Sequence, residues 1–148
     1  MADLLQAGSQ IYSVDRDRGA LARQQQLMEE RFPDAKVDYI SADFRRPLGL
    51  PPLDGVLMAN SLHFQKDKDQ LLRLVRGYLK PHGRFLLVEY NSDRGNPWVP
   101  HPLSFETWIK VAARNGFTAT RLLGSVPSRF FGEIYSALSR TEPYSGGV

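Results

Sequence analysis

Residues 53–90 read LDGVLMANSLHFQKDKDQLLRLVRGYLKPHGRFLLVEY, and the hydrophobic period changes twice along this stretch. Residues 56–59 are an unbroken apolar run between Asp54-Gly55 and Asn60-Ser61, the pattern of a short strand buried on both faces. Over residues 67–80 the period becomes helical. Leu71, Leu72, Val75, Tyr78 and Leu79 fall on one stripe, and Asp69, Gln70, Arg73 and Arg76 fall off it. Pro81 and Gly83 are expected to end this helix, because proline cannot continue it and glycine accepts the turn. Residues 84–90 are apolar again, through Phe85, Leu86, Leu87 and Val88. Strand, crossover helix and strand make a βαβ unit, and a right-handed crossover leaves its two strands parallel.

The remainder can be laid around that unit. Residues 2–7 look like the last turns of a helix, closed by Gly8. Residues 11–14 form a short strand that delivers Asp15 at its carboxyl end, and Asp17 is placed to cap a helix over residues 18–31. Residues 36–40 alternate as an edge strand does, with Val37 and Tyr39 on one side. They lead into Ser41-Ala42-Asp43-Phe44. A segment over residues 91–103, carrying Gly95, Trp98, His101 and three prolines, is long for a connection inside one domain, as lids and binding loops are. Ser104 then caps a helix with Phe105, Trp108, Ile109 and Ala112 on its apolar face, and Asn115-Gly116 closes it. Residues 118–124 and 133–140 read as two strands with no room for a helix between them, hence antiparallel. The expectation is a three-layer α/β domain over residues 1–142, with a mostly parallel sheet and a loose tail over 143–148.

Composition removes several classes of function. The 148 residues contain no cysteine, which excludes disulfides, thiolate metal sites and cysteine nucleophiles together. No apolar run approaches the ~18 residues of a membrane span, and no basic, apolar leader opens the chain, so a cytoplasmic protein without membrane contact is expected. The net charge of +3 comes from scattered basic residues, whereas a nucleic-acid footprint needs them clustered. Neither GxGxxG nor GxxxxGK[ST] occurs, and no spacing of metal ligands or hydrolase triad stands out.

In open parallel sheets ligands bind beyond the carboxyl ends of the strands, which draws attention to a few residues. Asp15 has two oxygens to match the two hydroxyls of a ribose diol, although it or Asp17 would also serve as a plain helix cap. Asp43 can accept from the exocyclic amine of a purine with Phe44 covering the ring, or it is a turn residue ahead of Arg45. His63, just beyond the third strand, is a base, a substrate contact or a structural histidine. His82 sits in a turn and reads as structural. His101 and Trp98 in the long segment, and Tyr90 at the end of its strand, are candidate substrate contacts. Glu89 faces the same pocket or pairs with an arginine.

Taken together, IYSVDRD, SADF, LDGVLMANSLHF and LLRLVRGYLKPHGRFLLVEY resemble the successive motifs of class I S-adenosylmethionine-dependent methyltransferases. The resemblance runs over nearly the whole chain and is most specific from the third strand through the KPHG turn. It implies a Rossmann-like fold, S-adenosylmethionine as cofactor and a small-molecule methyl acceptor. It places Asp15 on the cofactor ribose, Arg16 against the adenine, and Asp43 with Phe44 at the adenine edge. Asn60, Ser61 and Leu62 fall beneath the methionine part, and His63 at the entrance to the acceptor site as a candidate base. The chemistry implied is in-line displacement at the methyl, where alignment supplies much of the rate.

One departure matters. The family opens with a strand and a glycine-rich turn, and here only the end of the helix that follows is recognisable, in ADLLQAG. That strand would lie between those of Val14 and Val56, and its loss exposes strand edges. The chain is then a piece of a longer frame, or the two strands pair directly, or another chain fills the gap, a homodimer covering the edges being one form. A non-catalytic scaffold keeping the fold is the alternative function. A nicotinamide-dependent oxidoreductase is a third, opposed by the absent glycine fingerprint.

Overall fold

A computed structural model describes residues 5–142 of the chain. These belong to two compact units, Met1–Leu48 and Gly49–Val148. In the first, β1 (Gln10–Asp15) runs parallel to β2 (Lys36–Ser41), with α1 (Arg18–Arg31) connecting them. The register pairs Asp15 with Ser41, so both strands end together. Asp17 starts α1 as expected, its Oδ1 accepting from the amides of Gly19 at 2.8 Å and Ala20 at 3.0 Å, which satisfies two amides that have no partner within the helix. Leu21 is the one buried residue of this unit among those described. Residues 5–9 form a turn rather than the expected end of a helix, with Gly8 at φ +84°. Residues 2–4 of that expected helix and the expected tail over 143–148 lie outside the described residues.

The second unit contains β3 (Leu53–Ala59), a 3-10 turn (Leu62–Phe64), α2 (Asp69–Tyr78), β4 (Leu79–Tyr90), α3 (Phe105–Arg114), β5 (Phe117–Ser128) and β6 (Gly132–Thr141). Its sheet has the order β3-β4-β6-β5. β3 and β4 are parallel, and the last strand inserts antiparallel between β4 and β5. The helices bury Leu71, Leu72 and Val75 from α2, and Trp108, Val111 and Ala112 from α3. Phe85 on β4 meets Trp108 edge-on at 5.5 Å and Phe117 at 5.2 Å. Burying each such ring contributes on the order of 2–3 kcal/mol. At their ends the two helices are joined by Asp69, whose carboxylate accepts from Arg114 Nε at 2.9 Å and Asn115 Nδ2 at 2.8 Å. None of the described helices is long and apolar enough to cross a membrane.

Three expectations change. α2 ends at Tyr78, before Pro81 and Gly83, because proline disfavours helical backbone at Lys80 and Leu79 is already extended and paired with Leu53. The next aligned pair is Gly55 with Arg84, so residues 80–83 bulge out of β4, and His82 takes φ +60°. β3 is not buried on both faces: it stands at the edge of its sheet, only Met58 is buried, and Leu57 is 40% exposed. Finally, the strands of Val14 and Val56 belong to different sheets. β5 and β6 form the expected antiparallel pair but extend further toward their turn, where Ser128 pairs with Gly132.

Candidate active site

β3 stops at Ala59, whose partner on β4 is Val88, and Asn60 then bonds its amide to the Val88 carbonyl at 2.9 Å. Asn60 has φ +51°, a left-handed conformation that asparagine tolerates better than most residues. This bend turns the chain back over the end of β4 and seats His63 beside Glu89. The glutamate is fully buried. It accepts from the His63 amide at 3.1 Å and lies 2.9 Å from His63 Nδ1. The Tyr90 amide donates to it as well, at 2.8 Å. A carboxylate only accepts, so Nδ1 donates to it, and in the neutral form of the ring Nε2 carries the lone pair. Among the described residues Nε2 makes no hydrogen bond, yet the enclosed unpartnered side-chain atoms are Trp108 Nε1 and Tyr135 Oη. The His63 side chain as a whole is only 4% exposed, so the ring is nearly enclosed.

Residues 91–103 are fastened down rather than hanging as a loose lid. Asn91 bonds Glu133 through its Nδ2 at 3.0 Å and accepts from the Phe105 amide at 2.9 Å. Asp93 accepts from both the amide and the hydroxyl of Ser104 at 2.9 Å. At the turn of this strap a Cβ on Gly95 would lie 2.0 Å from the Pro100 carbonyl oxygen, so only glycine fits. The His101 amide donates to the His63 carbonyl at 3.0 Å. Lys68 closes the junction, donating to the carbonyls of Gln65 at 2.9 Å and His101 at 2.8 Å. Burial lowers the Lys68 pKa and the charge of Glu89 works against that fall. A buried ammonium thus shares the interior with the buried carboxylate, which lessens the cost of keeping either charged.

Of the remaining sequence candidates in this unit, Tyr90 lies 5.7 Å from the His63 ring and Leu62 is fully buried in the core. Ser61 is half-buried and Asn60 exposed. Trp98 is 79% exposed and has no ring contact among the described residues. The sequence reading left Glu89 between a pocket residue and an arginine partner, whereas its partner is His63. It passed over Lys68 and Phe131. A glutamate inside the apolar run FLLVEY was the available signal, since a buried charge requires a partner.

In the first unit, Asp15 and Asp43 gather at the carboxyl ends of β1 and β2. Asp15 Oδ1 accepts from the Asp17 amide at 2.9 Å, leaving Oδ2 without a protein donor among the described residues. Asp43 is engaged with Arg45, accepting from its Nε at 2.8 Å and its amide at 3.0 Å. The Arg45 guanidinium holds the Asp43 carboxyl well below the usual carboxylate range. Arg16 is exposed and Phe44 half-buried beside these acids in sequence.

No curated protein matches the chain. Among solved structures, the CurJ carbon methyltransferase is similar with a TM-score of 0.75 at 18% identity, over 95% of this chain and 44% of that one. Magnesium protoporphyrin IX methyltransferase from Synechocystis PCC 6803, solved with bound SAM, gives a TM-score of 0.72 at 19% identity, over 95% of this chain and 64% of that one. The N-methyltransferase NodS from Bradyrhizobium japonicum WM9, in complex with S-adenosylhomocysteine, gives 0.69 at 15% identity, over 89% and 66%. At these identities the likeness is one of fold, and this chain spans less than half the length of the CurJ methyltransferase. The family model of the methyltransferase domain matches residues 1–87, more than half of the sequence. With the α/β fold and the paired elements described above, that match places the protein: the chain belongs to the methyltransferase domain family.

Proposed function

We propose that the chain serves S-adenosylmethionine-dependent methyl transfer to a small-molecule acceptor whose proton is removed by His63. The observation that carries this reading is the buried Glu89 carboxylate on His63 Nδ1, with no hydrogen bond made by Nε2 among the described residues. Glu89 fixes the tautomer and stabilises the imidazolium that forms when Nε2 takes a proton. The free Oδ2 of Asp15 fits one hydroxyl of a ribose, and Oδ1 keeps the carboxylate oriented through Asp17. Bound S-adenosylmethionine supplies an electrophilic methyl on a sulfonium, so the acceptor needs only a lone pair. A base is required where that pair is tied up in an acidic C–H or O–H bond. The name carbon methyltransferase carried by a similar structure accords with such an acceptor. Asn60 and Ser61 we assign to the cofactor side of the turn, with Leu62 buried in the core beneath them, and Tyr90 and His101 to the acceptor side.

Calorimetric titration with S-adenosylhomocysteine tests the cofactor half. Binding is expected, and Asp15→Ala weakens it by about 1.5–3 kcal/mol if the acid holds the ribose. Glu89→Gln tests the base. It should leave that affinity unchanged and slow methylation of an acidic acceptor by about 10². A folded chain that binds no S-adenosylhomocysteine is the outcome of a second reading, a non-catalytic scaffold. The closed Asp43–Arg45 pair favours that reading, since it leaves no carboxylate oxygen open to an adenine.

A further inference from the structure

Three aromatic side chains from three different elements collect at and beside the His63 imidazole. Phe64 follows His63 in the 3-10 turn with its ring 4.3 Å away, Tyr90 ends β4 at 5.7 Å, and Phe131, in the turn between β5 and β6, lies 5.3 Å from Tyr90. The His63–Phe64, His63–Tyr90 and Tyr90–Phe131 ring planes are tilted by 49°, 56° and 50°, so none of these pairs is stacked. They are not needed to close the core, which has its own fully buried rings in Phe85, Trp108, Phe117 and Tyr135. Phe64 is 58% exposed, and the neighbouring Phe130 is 76% exposed. Aromatic faces held toward solvent beside a base have a use when a flat molecule covers them.

Two of the charged groups here are already committed. Lys68 donates to two carbonyls, and Glu133 accepts from Asn91. Neither is set to hold a carboxylate or phosphate on an acceptor. A conjugated acid has less need of such help, because its conjugate base spreads the charge over a π system. We infer that Phe64, Tyr90 and Phe131 form one wall of the acceptor subsite, and that the acceptor is a flat conjugated acid, a phenol or an enolisable carbonyl compound. It lies against Tyr90 and Phe131 with its acidic proton directed to His63 Nε2. This inference rests on His63 acting as the base.

Equilibrium dialysis of the cofactor-free chain with 4-nitrophenol tests the wall without any methyl transfer. Saturable binding is expected, weakened about tenfold by Phe131→Leu and by Phe64→Leu, which keep apolar bulk but lose the ring face. Phenol should displace the probe at least tenfold better than cyclohexanol. Equal affinity in the wild type and both leucine variants, equal displacement by the two alcohols, or no saturable binding to the wild type overturns the wall. His63→Gln separates the two ideas. In that variant the probe should stay bound but lose the phenolate absorbance gained on binding to the wild type. Unchanged absorbance rejects the base, and leucine variants that still bind weakly then uphold the wall on its own.

Discussion

Tyr135 illustrates how one atom can weigh against a fold. It is fully buried, and its hydroxyl has no hydrogen-bond partner among the described residues. Burial first, then the charges of Glu89 and Asp93, push the phenol's pKa far above its ordinary value of 10.0. Tyr135→Phe removes the orphaned hydroxyl and keeps the ring against Phe105, so the variant should be more stable by about 1 kcal/mol, read as a higher urea midpoint at unchanged m-value. The sign of the pH effect follows from the raised pKa. The folded state keeps the proton that the unfolded chain gives up, so the wild type loses stability as pH rises through about 10, and the phenylalanine variant escapes that part of the loss. An unchanged midpoint would mean that the hydroxyl has found a partner in solution. Neither this residue nor the His63–Glu89 pair could be read as such from the sequence, because the partners stand 26 positions apart and are chosen by the sheet.

At the scale of elements the strap and α3 depend on one side chain. Ser104 caps α3 by accepting from the Thr107 amide at 3.2 Å, and the same hydroxyl donates to Asp93 at 2.9 Å. Ser104→Ala loses both contacts. It should cost about 1 kcal/mol by thermal or urea unfolding, as loss of an N-cap does, and should also raise protease cleavage within residues 91–103. A stability loss without added cleavage would show that the other anchors, Asn91 and Lys68, suffice to hold the strap. The cap itself was legible: a serine before an apolar stripe with Glu106 in the first turn is a local pattern. The strap's anchoring was not, because Lys68 reaches His101 across 33 positions. The end of α2 was misplaced for a related reason. Leu79 fits the helical stripe, but its pairing with Leu53 across the sheet wins.

For the whole molecule, apolar burial is unevenly divided. Met1–Leu48 buries only Leu21 among its described residues and consists of two strands and a helix, a size at which sheets are marginal. Gly49–Val148 encloses Leu62, Leu72, Phe85, Leu87, Trp108 and Phe117 with at most 1% exposure each. Hydrogen exchange should therefore show β4 and β6 opening only near the global unfolding free energy, with β1 and β2 exchanging at least a hundredfold faster. Saturating S-adenosylhomocysteine should slow the end of β1 around Asp15 if the cofactor reading holds. Uniform protection across both units would contradict the division. What the sequence determined by itself is the local content: the helical and strand periods, the caps at Asp17 and Ser104, the antiparallel final pair, and the motifs that carry the family likeness. These depend on neighbours within a few residues, where propensity and periodicity act. Tertiary structure alone decided the site. Pairing of Ala59 with Val88 sets where the chain bends after β3, that bend brings His63 to Glu89, and insertion of β6 beside β4 brings Phe131 to Tyr90. Such contacts follow from strand register, which no local stretch of sequence encodes.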